Sequence, residues 1–166
     1  GPTTIWEGPF LVNGALPSSP VTVRGGLWHE GTLGGNGFVG QGATVHRNAA
    51  VSPGLGTYSP GTLTISNGLA LVDGAVFKLD LSDDPTGIIK TNDFVQVLGN
   101  LTLTGTNRIA IRRLNGVLPT GTVYPLVNYT GTLTGSISNL VVEGLPGIPL
   151  TLTNPPGQIA LVVKSY

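Results

Sequence analysis

Residues 51–65 read V-S-P-G-L-G-T-Y-S-P-G-T-L-T-I and decide the fold. Two Ser-Pro-Gly tripeptides, starting at Ser52 and Ser59, are followed by the alternating run Thr62-Leu63-Thr64-Ile65. Proline presets φ for a turn and glycine accepts the positive φ that follows, so each tripeptide is predicted to form a corner. Because so few residues separate the corners, no helix fits between them. The sequence therefore predicts a chain that winds in short, flat segments.

The same stretch resembles the autotransporter-associated β-strand repeat, in which a Ser-Pro-Gly pair precedes Thr-Leu-Thr-Ile or a close variant. Further segments fall where such repeats place them, at residues 67–71, 93–97, 99–103 and 129–135. The resemblance covers roughly residues 26–163. It implies a parallel β-helix, and it carries no catalytic signature.

The composition excludes several classes of protein. The chain has 26 glycines and 13 prolines in 166 residues, and they punctuate short runs of Val, Ile, Leu and Thr. The net charge is zero and no basic stripe is present, which argues against nucleic acid as a partner. No apolar run approaches the ~20 residues of a membrane span, so no membrane insertion is expected. The absence of cysteine excludes disulfides and catalytic thiols.

The spacing of strands and corners predicts the fold class. Comparable strand-plus-corner units recur about every 20 residues, in the range of solenoid repeats, and no window has a helical apolar period. We therefore predict an all-β fold, a right-handed parallel β-helix of about six to eight coils. A β-sandwich is the alternative, because short strands with regular turns also fit that architecture.

One domain is expected over residues 3–166. Gly1-Pro2 has the form of a scar left by tag cleavage, and the aromatic-rich segment of residues 3–12 is predicted to cap the first coil. Strand alternation places Val21, Val23, Leu27, Leu33 and Val45 inside; Trp28, Glu30 and His46 point outward. In residues 76–81, Phe77, Leu79 and Leu81 point inward, and Lys78 and Asp80 point outward. Arg108, Arg112 and Arg113 are interpreted as a solvated strand face.

No constellation of residues predicts catalysis, so the chain is not expected to be an enzyme. His29 and His46 have no serine elbow beside them and lack a third zinc ligand. The carboxylates show no spacing that pairs two of them for glycoside hydrolysis. Asp80, Asp83 and Asp84 lie close together and offer oxygens that calcium could use, but the spacing favours a turn. No cofactor and no metal site are predicted, and a structural calcium near residues 80–84 is left open.

The outward side chains of the first half offer a binding surface. Aromatic rings on a flat β-helix face suit the apolar faces of sugars, and neighbouring polar groups suit their hydroxyls. The predicted carbohydrate-binding residues are Arg24, Trp28, Glu30, His46, Arg47 and Tyr58. Arg24, Trp28, Glu30 and His46 are expected to share one face.

Two functions follow from this surface. The first is a non-catalytic carbohydrate-binding module for plant cell-wall polysaccharide, xylan in particular. In size and fold type the chain is similar to the β-helical xylan-binding modules of gut-bacterial xylanases, which implies a covalently linked catalytic domain in a secreted bacterial glycoside hydrolase. The alternative is a structural or adhesive stalk segment of an autotransporter-like surface protein. Either function implies an extracellular or cell-surface location.

Overall fold

The chain folds almost entirely into short β-strands in a computed structural model that describes residues 1–86 and 91–165. The first nine strands are β1 (Thr3–Ile5), β2 (Gly8–Leu11), β3 (Ala15–Leu16), β4 (Val21–Val23), β5 (Gly31–Gly35), β6 (Phe38–Val39), β7 (Ala43–Val45), β8 (Ala49–Pro53) and β9 (Thr62–Ser66). The remaining strands are β10 (Leu69–Val72), β11 (Val76–Leu81), β12 (Phe94–Leu98), β13 (Leu101–Thr104), β14 (Asn107–Arg113), β15 (Val123–Tyr129), β16 (Leu133–Thr134), β17 (Leu140–Glu143), β18 (Leu150–Thr153) and β19 (Gln158–Val163).

Every third strand pairs in parallel with its equivalent one coil further on. Sheet A has the order β1-β4-β7-β10-β13-β16, and sheet B runs from β2 through β5, β8, β11 and β14 to β17. Sheet C starts with β3, β6, β9, β12 and β15 and ends in the hairpin β19-β18. Six coils therefore stack into the predicted parallel β-helix, and the β-sandwich alternative is wrong. The right-handed sense of the winding stays a prediction.

The coils lengthen along the chain. Thr3 pairs with Val21, so the first coil takes 18 residues, whereas Leu69 pairs with Leu101 and that coil takes 32. The predicted period of about 20 residues thus holds only for the first coils. Most of the extra residues of the later coils lie at the corner between sheets B and C, in the connections from β8 to β9 (residues 54–61), from β11 to β12 and from β14 to β15 (residues 114–122).

The inward side chains form one continuous core. Val23, Leu33, Val45, Leu63 and Ile65 are completely buried, as the alternation predicts. The inward positions of Phe77, Leu79 and Leu81 are also confirmed. Leu27 was expected in this core, but that prediction is wrong, because its side chain is 93% exposed on a bend outside the strands.

The two Ser-Pro-Gly tripeptides do not have the same structure. The second, residues 59–61, lies between β8 and β9 as predicted. The first does not form a corner as a unit, because Ser52 and Pro53 complete β8. The turn begins at Gly54, whose positive φ of 84° is a conformation that glycine adopts readily. The backbones of Gly54 and Gly35 form two hydrogen bonds with each other, at 2.8 and 3.0 Å.

The two ends of the stack differ. Residues 3–12, predicted as a cap, supply β1 and β2, which pair in parallel with β4 and β5 as a regular first coil. At the other end, β19 pairs antiparallel with β15, and β18 pairs antiparallel with β19. The helical structure in residues 1–86 and 91–165 is the 3-10 turn Ile137–Asn139, which is too short to cross a membrane.

Candidate functional site

The six predicted binding residues lie in three separate places. Arg24, His46 and Arg47 line a groove at the corner between sheets A and B, together with Trp6, Gly25, Val72 and Asp73. We call this the corner groove. Trp28 and Glu30 lie together in a second depression with Asn48 and Arg108. Tyr58 lies at the corner between sheets B and C. The expectation that Arg24 and His46 share a face with Trp28 and Glu30 is therefore corrected: the structure groups them in two pairs.

Strand register builds the corner groove. Ile5, Val23 and Val45 are in-register partners on β1, β4 and β7, and all three side chains are buried. Side chains alternate along a strand, so the next residue in each case, Trp6, Arg24 and His46, faces outward. Successive members of the row are about 4.8 Å apart because that is the spacing of paired strands.

Trp6 was not among the predicted binding residues, although the sequence contains a signal for it. The motifs Thr4-Ile5-Trp6, Thr22-Val23-Arg24 and Thr44-Val45-His46 repeat one pattern of outward, inward and outward positions. The spacing between these motifs changes from 18 to 22 residues, so a search at one fixed period does not align them. In the structure Trp6 is 63% exposed, and the Arg24 guanidinium carbon lies 5.6 Å from its ring centroid.

Hydrogen bonds fix the charges around the groove. Nη2 of Arg47 donates to Oδ2 of Asp73 at 2.7 Å, and the backbone N–H of Thr106 donates to Oδ1 of Asp73 at 3.1 Å. The hydrogen bond from Thr106 lowers the pKa of Asp73 most, and the Arg47 guanidinium lowers it further. The Asp73 carboxylate is therefore ionised at neutral pH.

His46 contributes a neutral ring to the groove. Partial burial, and then the nearby positive charge of Arg24, lower the pKa of His46 from 6.5. At neutral pH the imidazole is therefore uncharged and carries one N–H donor and one acceptor nitrogen. The groove encloses about 360 Å³ of open space above these groups. It can receive an uncharged or negatively charged polar ligand.

The second depression lies beside a protruding turn, residues 25–30. The backbone N–H of Gly26 donates to the carbonyl of His29 at 2.8 Å, and Trp28 at the bend is 86% exposed. Glu30 is anchored on sheet B, since its Oε1 accepts hydrogen bonds from the Thr32 hydroxyl (3.1 Å) and from the Lys78 ammonium. Trp28 therefore projects freely, and Glu30 is occupied by its neighbours.

Tyr58 lies over an ion pair whose carboxylate is buried. Its ring centroid lies 5.0 Å from the Arg112 guanidinium carbon, and Arg112 forms an ion pair with Asp80. The backbone N–H of Tyr58 donates to Oδ2 of Asp80 at 2.8 Å. Asp80 faces outward as predicted, but the loop that carries Tyr58 covers its side chain and leaves it 1% exposed. Arg112 likewise departs from the predicted solvated face.

The acidic loop after β11 is held by its own hydrogen bonds. Oδ1 of Asp84 accepts from the backbone N–H (2.9 Å) and the hydroxyl (2.6 Å) of Thr86, which lowers the pKa of Asp84. The backbone N–H of Asp83 donates to Asn115 at 3.2 Å. Residues 87–90 of this loop lie outside the described residues. Within the described part of the chain, no three carboxylates and imidazoles are grouped so that they could hold a metal ion.

The molecule is thus a parallel β-helix that displays a polar groove with one exposed aromatic ring. Over 116 residues the chain is 36% identical to the adhesin BmaC autotransporter of Brucella suis biovar 1 (strain 1330). The match covers 69% of this chain and 3% of that protein, so the chain spans a small part of this relative. No family model matches the chain. The similarity supports the resemblance to autotransporter passengers, and nothing in the comparisons supports a relation to xylan-binding modules.

Proposed function

We propose that the chain is a rod-forming, adhesive segment of a surface-displayed autotransporter passenger. The 36% identity to a segment of an autotransporter adhesin is the observation that carries the proposal. The parallel β-helix agrees with it, because its coils stack as a continuous rod. A cell-surface or extracellular location is part of the proposal.

The architecture suits mechanical display of a ligand. Parallel pairing runs through six strands in sheets A and B and through five in sheet C, so the first five coils are joined by three ladders of backbone hydrogen bonds. Such a stack rises about 4.8 Å per coil and holds its outward side chains in fixed rows. The segment needs no chemistry of its own to act in adhesion, and we propose no catalytic role for it.

The xylan-binding hypothesis lacks a comparable support. Its candidate residues are distributed over three places; Glu30 pairs with Lys78, and one face of the Tyr58 ring lies against Arg112. We therefore favour the adhesive segment and include xylan as a competing ligand in the test.

An oriented attachment assay tests the proposal. The chain has no cysteine, so Ser165→Cys at the exposed C-terminal end provides one coupling point far along the chain from the corner groove. Beads coupled in this way are applied to cultured animal cells, to wells coated with extracellular matrix, and to insoluble xylan. We expect attachment to cells or matrix well above that of uncoupled beads.

The matched control is Leu63→Asp in the same Ser165→Cys background. Leu63 is completely buried, so a charge at this position unfolds the coil stack without changing the coupling chemistry. Attachment that is equal for both chains, or that occurs on xylan alone, would overturn the proposed function.

A further inference from the structure

We propose that the corner groove binds a saccharide that carries a single carboxylate, a sugar of the uronic or sialic acid class. The proposal rests on the adhesive function given above, for which it names the class of ligand. Its residues are Trp6, Arg24, His46, Arg47 and Asp73.

The net charge of the groove selects a monoanion. Arg24 and Arg47 each carry one positive charge, Asp73 carries one negative charge, and His46 is neutral, which leaves one positive charge. The remaining charge belongs to Arg24, since no carboxylate in residues 1–86 and 91–165 lies within ion-pair distance of its guanidinium. Oε1 of Glu7, the nearest acid in the sequence, lies against Gly26, and Glu7 forms no ion pair with Arg24. Arg24 is therefore the group that a ligand carboxylate would meet, in a geometry suited to two parallel hydrogen bonds.

The other groups in the groove match sugar hydroxyls. Arg47 uses Nη2 for Asp73 and keeps its remaining donors, and Asp73 keeps acceptor capacity because half of its side chain is exposed. The neutral His46 ring can donate or accept. Donors and acceptors that alternate around one space suit hydroxyl groups, each of which both donates and accepts.

Trp6 supplies the apolar contact. The ring is 63% exposed, and Arg24 lies over it and is held in place by the cation–π contact. An exposed indole offers a surface on which the C–H face of a sugar ring packs. The carboxylate, the hydroxyls and the apolar ring face of such a sugar are therefore each matched by side chains of the corner groove.

Asp73 distinguishes this ligand class from phosphate. A phosphate monoester carries nearly two negative charges at neutral pH, and the ionised Asp73 at the wall of the groove would repel it. A sugar carboxylate carries one charge and can be oriented toward Arg24, with its hydroxyls toward Asp73. The geometry points to an acidic sugar for this reason.

A titration followed by nuclear magnetic resonance tests the proposal on the whole chain. The probes are 3′-sialyllactose and methyl β-glucuronide, each with one carboxylate, and their uncharged counterparts are lactose and methyl β-glucoside. We expect the acidic sugars to shift the indole N–H signal of Trp6 and to saturate at millimolar or lower concentration, with the uncharged sugars binding at least tenfold more weakly. Equal binding of lactose and 3′-sialyllactose would overturn the proposal, as would displacement by equimolar inorganic phosphate.

Two pairs of variants assign the binding to the groove. Arg24→Gln and Trp6→Ala should each raise the Kd for 3′-sialyllactose at least tenfold. The matched controls Arg108→Gln and Trp28→Ala, which change an arginine and a tryptophan on the sheet B side, should leave it within twofold. Arg47→Gln, at a highly exposed side chain, provides a third groove variant with little risk to folding. Loss of binding in Trp28→Ala together with normal binding in Trp6→Ala would contradict the assignment.

The test separates this proposal from the adhesive function. If beads carrying Arg24→Gln still attach to cells as the wild type does, the sugar proposal fails and the adhesive segment stands. If wild-type beads attach nowhere but the acidic sugars still bind Trp6 and Arg24, the adhesive function fails and the groove assignment stands.

Discussion

The ion pair between Arg112 and Asp80 joins two neighbouring coils beneath the loop that carries Tyr58. Asp80 is 1% exposed, so its charge depends on Arg112 and on the backbone N–H of Tyr58 for stabilisation. Removing Arg112 leaves the buried Asp80 carboxylate without its counter-ion, but water can replace part of a side chain that is 35% exposed, so the cost is about 1.5–3 kcal/mol. We expect Arg112→Ala to lower the free energy of unfolding by that amount, as measured by urea denaturation.

Arg108→Ala is the control for this substitution. Arg108 lies on the same strand, β14, and pairs with Glu143 at 2.8 Å, but both side chains are nearly half exposed. Exposed pairs contribute about 0–1 kcal/mol, so this variant should lose no more than that. Similar losses of unfolding free energy in the two variants would contradict the role of Arg112 as the counter-ion of the buried Asp80.

Asp93 makes the stability of the fold depend on pH. It is 1% exposed and accepts hydrogen bonds from the backbone N–H groups of Gly61 (2.8 Å) and Asp80 (2.9 Å). Burial raises the pKa of Asp93 from 3.8 to about 7, and the negative charge of Asp80 adds to the rise; the two hydrogen bonds and Arg112 oppose it.

The sign of the effect follows from the raised pKa. Between about pH 4 and pH 7 the folded state binds more protons at Asp93 than the unfolded chain, so the stabilising contribution present at low pH is lost as pH rises. We expect Asp93→Asn to remove this fall in the free energy of unfolding with rising pH, which is on the order of a few kcal/mol. Urea midpoints from pH 5 to pH 8 measure it, with Asp83→Asn at an exposed position as control. An unchanged slope in Asp93→Asn would show that other groups cause the fall.

Strand periodicity predicted the core well, for a simple physical reason. Alternation reports which side of a strand a residue faces, and Phe77, Leu79 and Leu81 obey it without exception. It does not report whether another part of the chain lies over the outer face. Asp80 faces outward as predicted and is still buried, because residues 54–61 fold over it.

Loops were predicted less well than strands. The predicted coil length was wrong where long connections join sheets B and C. The prediction for Leu27 was wrong because the chain leaves the strand after Arg24 and forms a turn. Neither event changes the local apolar pattern. A rule that reads only nearby residues therefore assigns Leu27 to the core.

The candidate site was predicted in part. Arg24, His46 and Arg47 meet in the corner groove, apart from Trp28 and Glu30, with which Arg24 and His46 were expected to share a face. Trp28 and Glu30 were predicted to lie beside Arg24 and His46 because residues 27–30, which form a turn, were interpreted as a strand. Trp6 was assigned to a cap, since its role depends on the pairing of β1 with β4, which links residues 18 positions apart.

The two ends of the stack differ in sheet C, whereas sheets A and B finish at both ends in a strand with one paired neighbour. Among the described residues, β1, β2 and β3 each have one paired neighbour, so the first coil presents unpaired edges. At the other end, β19 covers the edge of β15, and it buries Ile159, Leu161 and Val163 against the last coils. Because the pairing reverses to antiparallel, the hairpin of β18 and β19 interrupts the parallel order of sheet C.

Removing this hairpin should make the molecule self-associate. A chain truncated after residue 143 exposes the edge of β15 and the apolar side chains, Val127 among them, that the hairpin covers. Unpaired edges next to apolar surface pair readily with other chains. We expect oligomers in analytical ultracentrifugation and a lower thermal midpoint, whereas truncation after residue 163 should leave a monomer of nearly unchanged stability. A monomeric, equally stable chain ending at residue 143 would show that the six coils hold together without the hairpin, as independent repeats do.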